Sequence, residues 1–207
     1  MFRKLLLVCL LFATVISSYG QVGNIMASYG IGGMQSIKVP GEYKFDYNSL
    51  KSFSVGYDFC RWNAAQVIEL SYTKANLNEY ERDEDGIILL SPEAIEKQIS
   101  EYSAYVLYGK LFRNGRRIGF PLYTGVGFDY ISGAPFNHLF LSATARINMK
   151  FYLLRNLGLV VGINAKAGMS SYSYPDPKDH SEDAVDQIKF MFHYAIYPQV
   201  GLIFSIH

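Results

Sequence analysis

The sequence predicts an all-β fold, in which eight antiparallel strands close into an up-and-down transmembrane β-barrel. Three observations support this prediction: period-two alternation in eight segments, many aromatic residues and glycines, and acidic residues gathered in the connections. Alternation with a period of two places successive side chains on opposite faces of a strand. The 17 Tyr, 14 Phe and 18 Gly favour strands and tight turns over helices.

The N-terminal segment differs from the rest of the chain. Two basic residues precede an apolar run over 5–16, and small residues, Ser18 and Gly20, then occupy the −3 and −1 positions of a cleavage site. This pattern predicts a secretory signal peptide over residues 1–20 and a mature domain over 21–207. The apolar run is shorter than the roughly 20 residues that a membrane-spanning helix needs.

Charge and cysteine content exclude some classes of protein. Removal of the signal peptide takes away Arg3 and Lys4, so the formal charge changes from +1 to −1. A chain without a basic surplus lacks the footprint of nucleic-acid binding, and no nucleic-acid partner is expected. Cys60 is then the remaining cysteine, so no intramolecular disulfide can form, although an exported protein could carry one.

The predicted strands can be placed in order along the chain. They cover about 24–36, 52–61, 65–75, 100–112, 118–132, 138–153, 157–172 and 189–206. The sixth shows the pattern most clearly, because apolar residues occupy every odd position from 139 to 151. The first is weaker, and the faces of the fourth stay ambiguous. Pro198 lies inside the last strand, where it removes a ladder hydrogen bond, so a bulge or kink is expected there.

The predicted connections alternate between longer and shorter ones. Residues 37–51, 76–99, 133–137 and 173–188 follow the odd-numbered strands, whereas the even-numbered strands end in short turns. One of these turns contains Asn114-Gly115, a favoured hairpin pair. Of the 18 acidic residues, 14 lie in three of the longer connections. The sequence therefore predicts one end of the barrel with short turns and one with long acidic loops.

The polar faces of the strands carry few charges, and these have both signs. A soluble barrel would turn its apolar faces inward and would carry many charges on the faces in water. Here the charges lie among glycines and hydroxyls, which suits a narrow interior where opposite charges pair, since an unpaired buried charge costs several kcal/mol. Lys74 and Lys110 fall on the apolar side near opposite strand ends, where long side chains can reach the membrane surface. We therefore predict a barrel-interior charge network of Asp58, Glu69, Asp129, Arg146, Lys150, Lys166 and His193.

The strand count, the alternation of connections and the aromatic last strand resemble the small eight-stranded outer-membrane barrels, the OmpA/OmpX-like group with a porin-like outer-membrane β-barrel domain. The resemblance covers nearly all of 21–207 and includes no diagnostic motif. It implies the outer membrane of a Gram-negative bacterium, with both termini and the short turns in the periplasm. Members usually end on an aromatic residue, whereas this chain ends Phe204-Ser205-Ile206-His207, so the assembly signal is imperfect.

The expected function is non-enzymatic, with a structural or surface-interaction role. The expected partners are outer-membrane lipid and lipopolysaccharide, with an extracellular ligand at loops 76–99 and 173–188, and the protein is expected to be a monomer. Two alternatives stay open: a narrow porin-like channel, and a barrel enzyme that modifies lipid A acyl chains with Ser, His and an acid. No cofactor or metal site is predicted, because the acidic stretch from Glu81 matches a calcium loop imperfectly.

Overall fold

The computed structural model describes residues 23–39, 43–61, 64–82, 97–114, 118–133, 136–154, 156–174 and 187–206. These residues form nine strands: β1 (Gly23–Ile31), β2 (Met34–Val39), β3 (Tyr43–Arg61), β4 (Ala64–Arg82), β5 (Gln98–Asn114), β6 (Ile118–Gly133), β7 (Phe136–Tyr152), β8 (Leu157–Tyr174) and β9 (Gln187–Ile206). Among the described residues, no helix is long and apolar enough to cross a membrane. The predicted signal peptide lies outside these ranges.

The strands form one closed antiparallel ring. Strands β3 to β8 each pair with the next strand along the chain. Strands β1 and β2 each pair with both β3 and β9, so together they occupy a single position in the ring. The ring therefore has eight positions, and the predicted eight-stranded up-and-down barrel is confirmed.

Several strands are longer than the sequence pattern predicts. The predicted connection 37–51 is wrong, because β2 runs to Val39 and β3 begins at Tyr43, which leaves 40–42 between them. The connections predicted over 76–99 and 173–188 shorten to 83–97 and 175–186. We call this end of the barrel the loop end, and the end with connections 62–63, 115–117 and 153–156 the turn end.

The first position of the ring is interrupted between β1 and β2. Gly32 and Gly33 there have positive φ angles of 75° and 84°, which glycine adopts without strain. Pairing with β9 stops at Gly30↔Gln199 and resumes at Met34↔Ile196. The bulge or kink predicted in β9 at Pro198 is therefore misplaced, because β9 continues through Pro198 and stays paired with β8. The irregularity lies instead in the neighbouring position of the ring, between β1 and β2, where Pro198 has no ladder partner.

Strand β3 contains a bulge at the same level. Its register with β4 shifts between Asn48 and Lys51, and Ser49 has a φ of 53°. The Gly32 amide donates to the carbonyl oxygen of Leu50 over 2.9 Å, which ties this bulge to the interruption in the next strand. An extra residue in a strand moves every later side chain to the opposite face. Tyr43, Phe45 and Tyr47 accordingly point into the barrel, whereas Phe53 and Val55 point outward.

Most of the barrel wall is apolar outside and polar inside. Large apolar side chains such as Leu141, Ile147 and Val126 are 58%, 64% and 64% exposed, although each lies in a regular strand. The apolar faces predicted for β3 from residue 53, β4 and β6 to β9 point outward as expected. In β5, the ambiguous fourth strand, Glu101, Ser103 and Tyr105 point inward, and Tyr102 and Val106 point outward.

Polarity reverses near the loop end. Beyond Ser49, outward side chains of β3 are polar, as are Asn76 and Asn78 of β4. The lumen at that level is filled by an apolar cluster, which we call the apolar plug: Ile37, Val39, Tyr43, Phe45, Tyr47, Leu50, Ala75, Ile99, Ile131, Phe140, Met191, Ala195 and Tyr197. We call the part of the barrel with the apolar exterior the belt section, and the part beyond it the loop-end section.

Candidate functional site: the charged lumen

The seven side chains predicted for the interior all lie in the lumen of the belt section, and each is at most 3% exposed. They come from β3, β4, β6, β7, β8 and β9, since alternation aims every second residue at the axis. They form three groups that follow one another from the turn end to the loop end. Each group pairs at least one carboxylate with one cation.

The group nearest the turn end joins β3 and β7. The ammonium of Lys150 contacts Oδ2 of Asp58, and the Tyr123 hydroxyl donates to the same oxygen over 3.3 Å. The ammonium also lies 5.6 Å from the centroid of the Tyr123 ring. Tyr123 belongs to a small apolar cluster with Ala65, Val67, Tyr105 and Leu107, which packs beside the pair. A tyrosine face and a carboxylate together replace water around the buried ammonium.

The middle group joins β4 and β7 across the lumen. Nη1 and Nη2 of Arg146 donate to the two carboxylate oxygens of Glu69, each over 2.5 Å. Both side chains are 1% exposed. A bidentate guanidinium–carboxylate pair fixes geometry as well as charge, because two parallel hydrogen bonds allow one orientation.

The third group, nearest the loop end, contains two carboxylates. Lys166 Nζ lies 2.7 Å from Oε1 of Glu101 and 3.6 Å from Oδ1 of Asp129. The second carboxylate oxygen of Asp129 accepts from the Tyr105 hydroxyl over 2.5 Å. The Lys166 ammonium therefore lies between two acids, one from β5 and one from β6.

His193 completes this third group. Its Nε2 lies 3.4 Å from Oε2 of Glu101, and its Nδ1 lies 3.7 Å from Oδ2 of Asp129. The Gln35 amide nitrogen lies 2.7 Å from Oε2 of Glu101 and 3.0 Å from Nε2 of His193. The Phe140 ring meets the imidazole edge-on, with centroids 5.6 Å apart. Phe140 breaks the alternation of its strand in the sequence, and this contact gives it a place on the lumen side.

Glu101 is the network residue that the sequence analysis missed. It contacts Lys166, His193 and Gln35, which no other carboxylate in the described lumen does. Glu101, Ser103 and Tyr105 are two residues apart, which places them on one face of the strand. This pattern was missed because both faces of the strand carry apolar residues. With Glu101, the described lumen holds four carboxylates against three permanent cations, and His193 is the group whose protonation would balance them.

Neutral polar groups fill the space between the charged ones. Their hydrogen bonds run between strands: Ser28 with Ser54, Thr73 with Ser52, Thr144 with Asn164, Asn164 with Tyr197, and Gln199 with Asn148. Eight buried polar atoms have no hydrogen-bond partner among the described residues: Gln35 Oε1, Tyr47 OH, Ser71 Oγ, Asp129 Oδ1, Ser142 Oγ, Arg146 Nε, Asn148 Nδ2 and His193 Nδ1. Buried polar atoms of this kind are the usual sites of internal water.

The loop-end section contains an ion pair on its outer surface. Lys44 Nζ lies 2.7 Å from Oδ2 of Asp46, and the Ser36 hydroxyl donates to Oδ1 over 2.5 Å. Partial burial raises the pKa of Asp46, but the two hydrogen bonds together lower it by more, so the pKa of this carboxyl lies below its ordinary value. Both members of this pair are about a third exposed, unlike the pairs in the lumen.

The surroundings of His193 and the placement of possible metal ligands can be compared with the alternatives that the sequence left open. Within the described part of the chain, the polar contacts of His193 are Gln35, Glu101 and Asp129, and none of them is a serine hydroxyl. No group of three or more His, Cys, Asp or Glu residues in the described ranges is placed to hold a metal ion. The stretch that resembles a calcium loop lies largely in 83–96, outside the described ranges.

A closed eight-position ring with an apolar exterior and an ionic lumen has the fold of the outer-membrane β-barrel proteins. The chain is similar to the outer membrane protein OprG from Pseudomonas aeruginosa, with a TM-score of 0.54 and 11% identity over 90% of this chain and 97% of that one. It also matches Neisserial surface protein A with a TM-score of 0.49 and 9% identity, over 86% of this chain and 95% of that one. No protein-family model and no curated protein matches the sequence.

Proposed function

We propose that this chain is an integral outer-membrane protein, which a signal peptide over residues 1–20 directs across the inner membrane. One observation carries the proposal: in the belt section, the ion pair of Arg146 and Glu69 is buried while Ile147, next to Arg146, is 64% exposed. In water this arrangement would be unfavourable on both counts, since it exposes apolar area and buries charge. In lipid the same exterior is favourable.

The height of the belt section fits a bilayer. Arg61 of β3 and Ala64 of β4 lie at the turn end. Lys51 and Lys74 lie ten residues farther along the same two strands, toward the loop end. At about 3.3 Å per residue and a tilt of about 40°, this distance corresponds to about 25 Å along the barrel axis. The outward apolar band of outer-membrane barrels is also about 25 Å tall. In this proposal the turn end faces the periplasm and the loop end faces the cell exterior.

We further propose a non-enzymatic role at the cell surface, with the connections 83–97 and 175–186 as the segments that meet external ligands. The loop-end section supports this role, because it extends β4 beyond the belt and so carries the connection 83–97 away from the membrane surface. The packed lumen also supports it. An eight-stranded barrel has an interior just wide enough for side chains, and here the apolar plug occupies the outer end.

Gel migration and bilayer recordings test the proposal. The mature protein is expected to require detergent and to migrate faster unheated than boiled, because a closed barrel resists the denaturing detergent of the gel. A protein that stays soluble without detergent would contradict membrane integration. Purified protein in planar bilayers is expected to pass no steady ion current, and unchanged lipid A mass spectra from an overexpressing strain are expected for a non-enzyme.

A narrow channel is the second candidate, and the eight buried polar atoms without hydrogen-bond partners among the described residues favour it. These atoms offer places where water could bind along the lumen. Steady conductance of the wild-type protein would select this reading over the closed barrel.

A further inference from the structure

On β3 to β7, a row of polar side chains marks the edge of the apolar belt nearest the loop end. The register places five outward residues side by side in consecutive strands: Lys51, Lys74, Ser100, Ser132 and Asn137. Directly below this row, that is, toward the turn end, the outward side chains are apolar or aromatic, as with Phe53 and Leu70. Under the proposed function, the row therefore lies where lipid acyl chains give way to headgroups.

The two lysines of the row form a like-charge pair. Lys51 and Lys74 are directly opposite each other in the β3–β4 ladder, and both are exposed on the outer face. Like charges at directly opposed positions destabilise a sheet unless an anion lies between them. Among the described residues, neither lysine has a carboxylate partner, and Asp46, farther along β3, is paired with Lys44. The pair thus presents two ammonium groups without a counter-ion from the described wall.

The groups beside the lysines suit a lipid rather than a soluble anion. The Tyr72 and Tyr102 rings lie just below, with centroids 5.0 Å apart, and the Tyr72 hydroxyl is 3.3 Å from Oγ of Ser100. Paired tyrosines at this depth are typical of the interface between acyl chains and headgroups. Farther along the row, Ser132 Oγ donates to Oδ1 of Asn137 over 3.1 Å, so hydroxyl and amide groups continue the polar edge.

We propose that Lys51 and Lys74 together bind the phosphate group of an outer-leaflet glycolipid, whose acyl chains lie along the belt below. This proposal rests on the proposed membrane function and adds a specific lipid site to it. Two ammonium groups give a phosphate charge-assisted hydrogen bonds and relieve the repulsion between them. The hydroxyl and amide edge of β5 to β7 then faces the sugar part of the headgroup.

The test compares lipids and variants in nanodiscs of neutral phosphatidylcholine. Diphosphorylated lipid A and its fully dephosphorylated form are titrated against the mature protein, and bound lipid is measured by native mass spectrometry. The wild-type protein is expected to bind the diphosphorylated form at least about tenfold more tightly, because charge-assisted hydrogen bonds depend on the phosphates. The double variant Lys51→Gln/Lys74→Gln is expected to lose this preference, and Lys51→Arg/Lys74→Arg is expected to keep it.

Lys110→Gln is the matched control, since Lys110 also points outward but lies near the turn end, over the Phe112 ring. Its binding should equal that of the wild type. Equal wild-type affinity for both lipids would overturn the proposal, as would full affinity in the double glutamine variant. Equally tight binding of inorganic phosphate would also overturn it, because the site would then not select a lipid. Heat-modifiable migration of each variant checks the barrel separately, and the wild-type comparison of two lipids needs no variant.

Discussion

Strand β3 carries the same alternation on both sides of Ser49, yet its large apolar residues point outward on one side and into the lumen on the other. In the belt section, Phe53 and Val55 are 51% and 43% exposed, whereas in the loop-end section Phe45 and Tyr47 are at most 1% exposed. All four occupy odd positions. The bulge at Ser49 moves the apolar stripe from the outer face to the lumen, at the level where the exterior of β4 also changes from Tyr72 to Lys74.

Under the proposed function, the solvent around each section decides which face is apolar. Where lipid surrounds the wall, apolar side chains cover the outside and the charges pair inside. Where water surrounds it, the arrangement is that of a soluble barrel, with the apolar plug inside and Lys44 and Asp46 outside. An ion pair therefore has different energetic weight in the two sections, because the lumen pair is desolvated and the outer pair is not.

The largest expected effect comes from removing one partner of the middle ion pair. Arg146→Met leaves the buried Glu69 carboxylate without a counter-charge, so the free energy of unfolding should fall by about 3–5 kcal/mol. Arg146→Met combined with Glu69→Leu should recover most of this loss, because no buried charge then remains unpaired. Urea titration in lipid vesicles, followed by circular dichroism, measures both variants. A double variant as unstable as the single one would mean that the pair contributes through packing instead.

The bulge itself gives a smaller effect with a predictable sign. Ser49 has a φ of 53°, a left-handed conformation that costs a non-glycine residue about 1–2 kcal/mol. Ser49→Gly should therefore raise the free energy of unfolding, by up to about 1 kcal/mol after the added chain entropy of glycine is subtracted. Ser49→Val should lower it, since a branched side chain tolerates this conformation poorly. Equal stabilities of the two variants would show that the polarity reversal does not depend on this backbone conformation.

The belt section could be predicted from the sequence, and the loop-end section could not. From β6 to β9 every second residue is apolar over most of each strand, with Phe140 as an exception on the polar face, so the outward faces with Leu141 and Val161 follow directly from period two. In β3, Tyr43 and Phe45 continue the odd-numbered pattern of Phe53, and nothing in the sequence marks Ser49 as the position where the face changes. Residues 37–51 were therefore predicted to be a loop, although they supply much of the apolar plug.

The charged lumen was predictable in membership but not in pairing. Period two places Glu69, Arg146 and Lys166 inside, yet the partners come from strands on different sides of the ring, and their heights depend on the stagger between strands. Glu101 was missed for a different reason: both faces of β5 carry aromatic and aliphatic residues, since Tyr105 and Leu107 pack in the lumen. When the lumen side of a strand carries aromatic as well as polar residues, the alternation of that strand is difficult to recognise in the sequence.

The smallest expected effect concerns the ion pair that faces water. The pKa of Asp46 is lowered in the folded protein, so the carboxylate stabilises the fold above its unfolded pKa, and this contribution disappears as the pH falls below about 4. Asp46→Asn should lower the free energy of unfolding at pH 7 by no more than about 0.5 kcal/mol, because Lys44 and Asp46 are partly solvated. Urea titrations at pH 7 and pH 3 should show a smaller difference from wild type at the lower pH. A loss at pH 7 as large as that of Arg146→Met would mean that the outer surface of the loop-end section is also shielded from water, and the contrast between the two sections would then have to be abandoned.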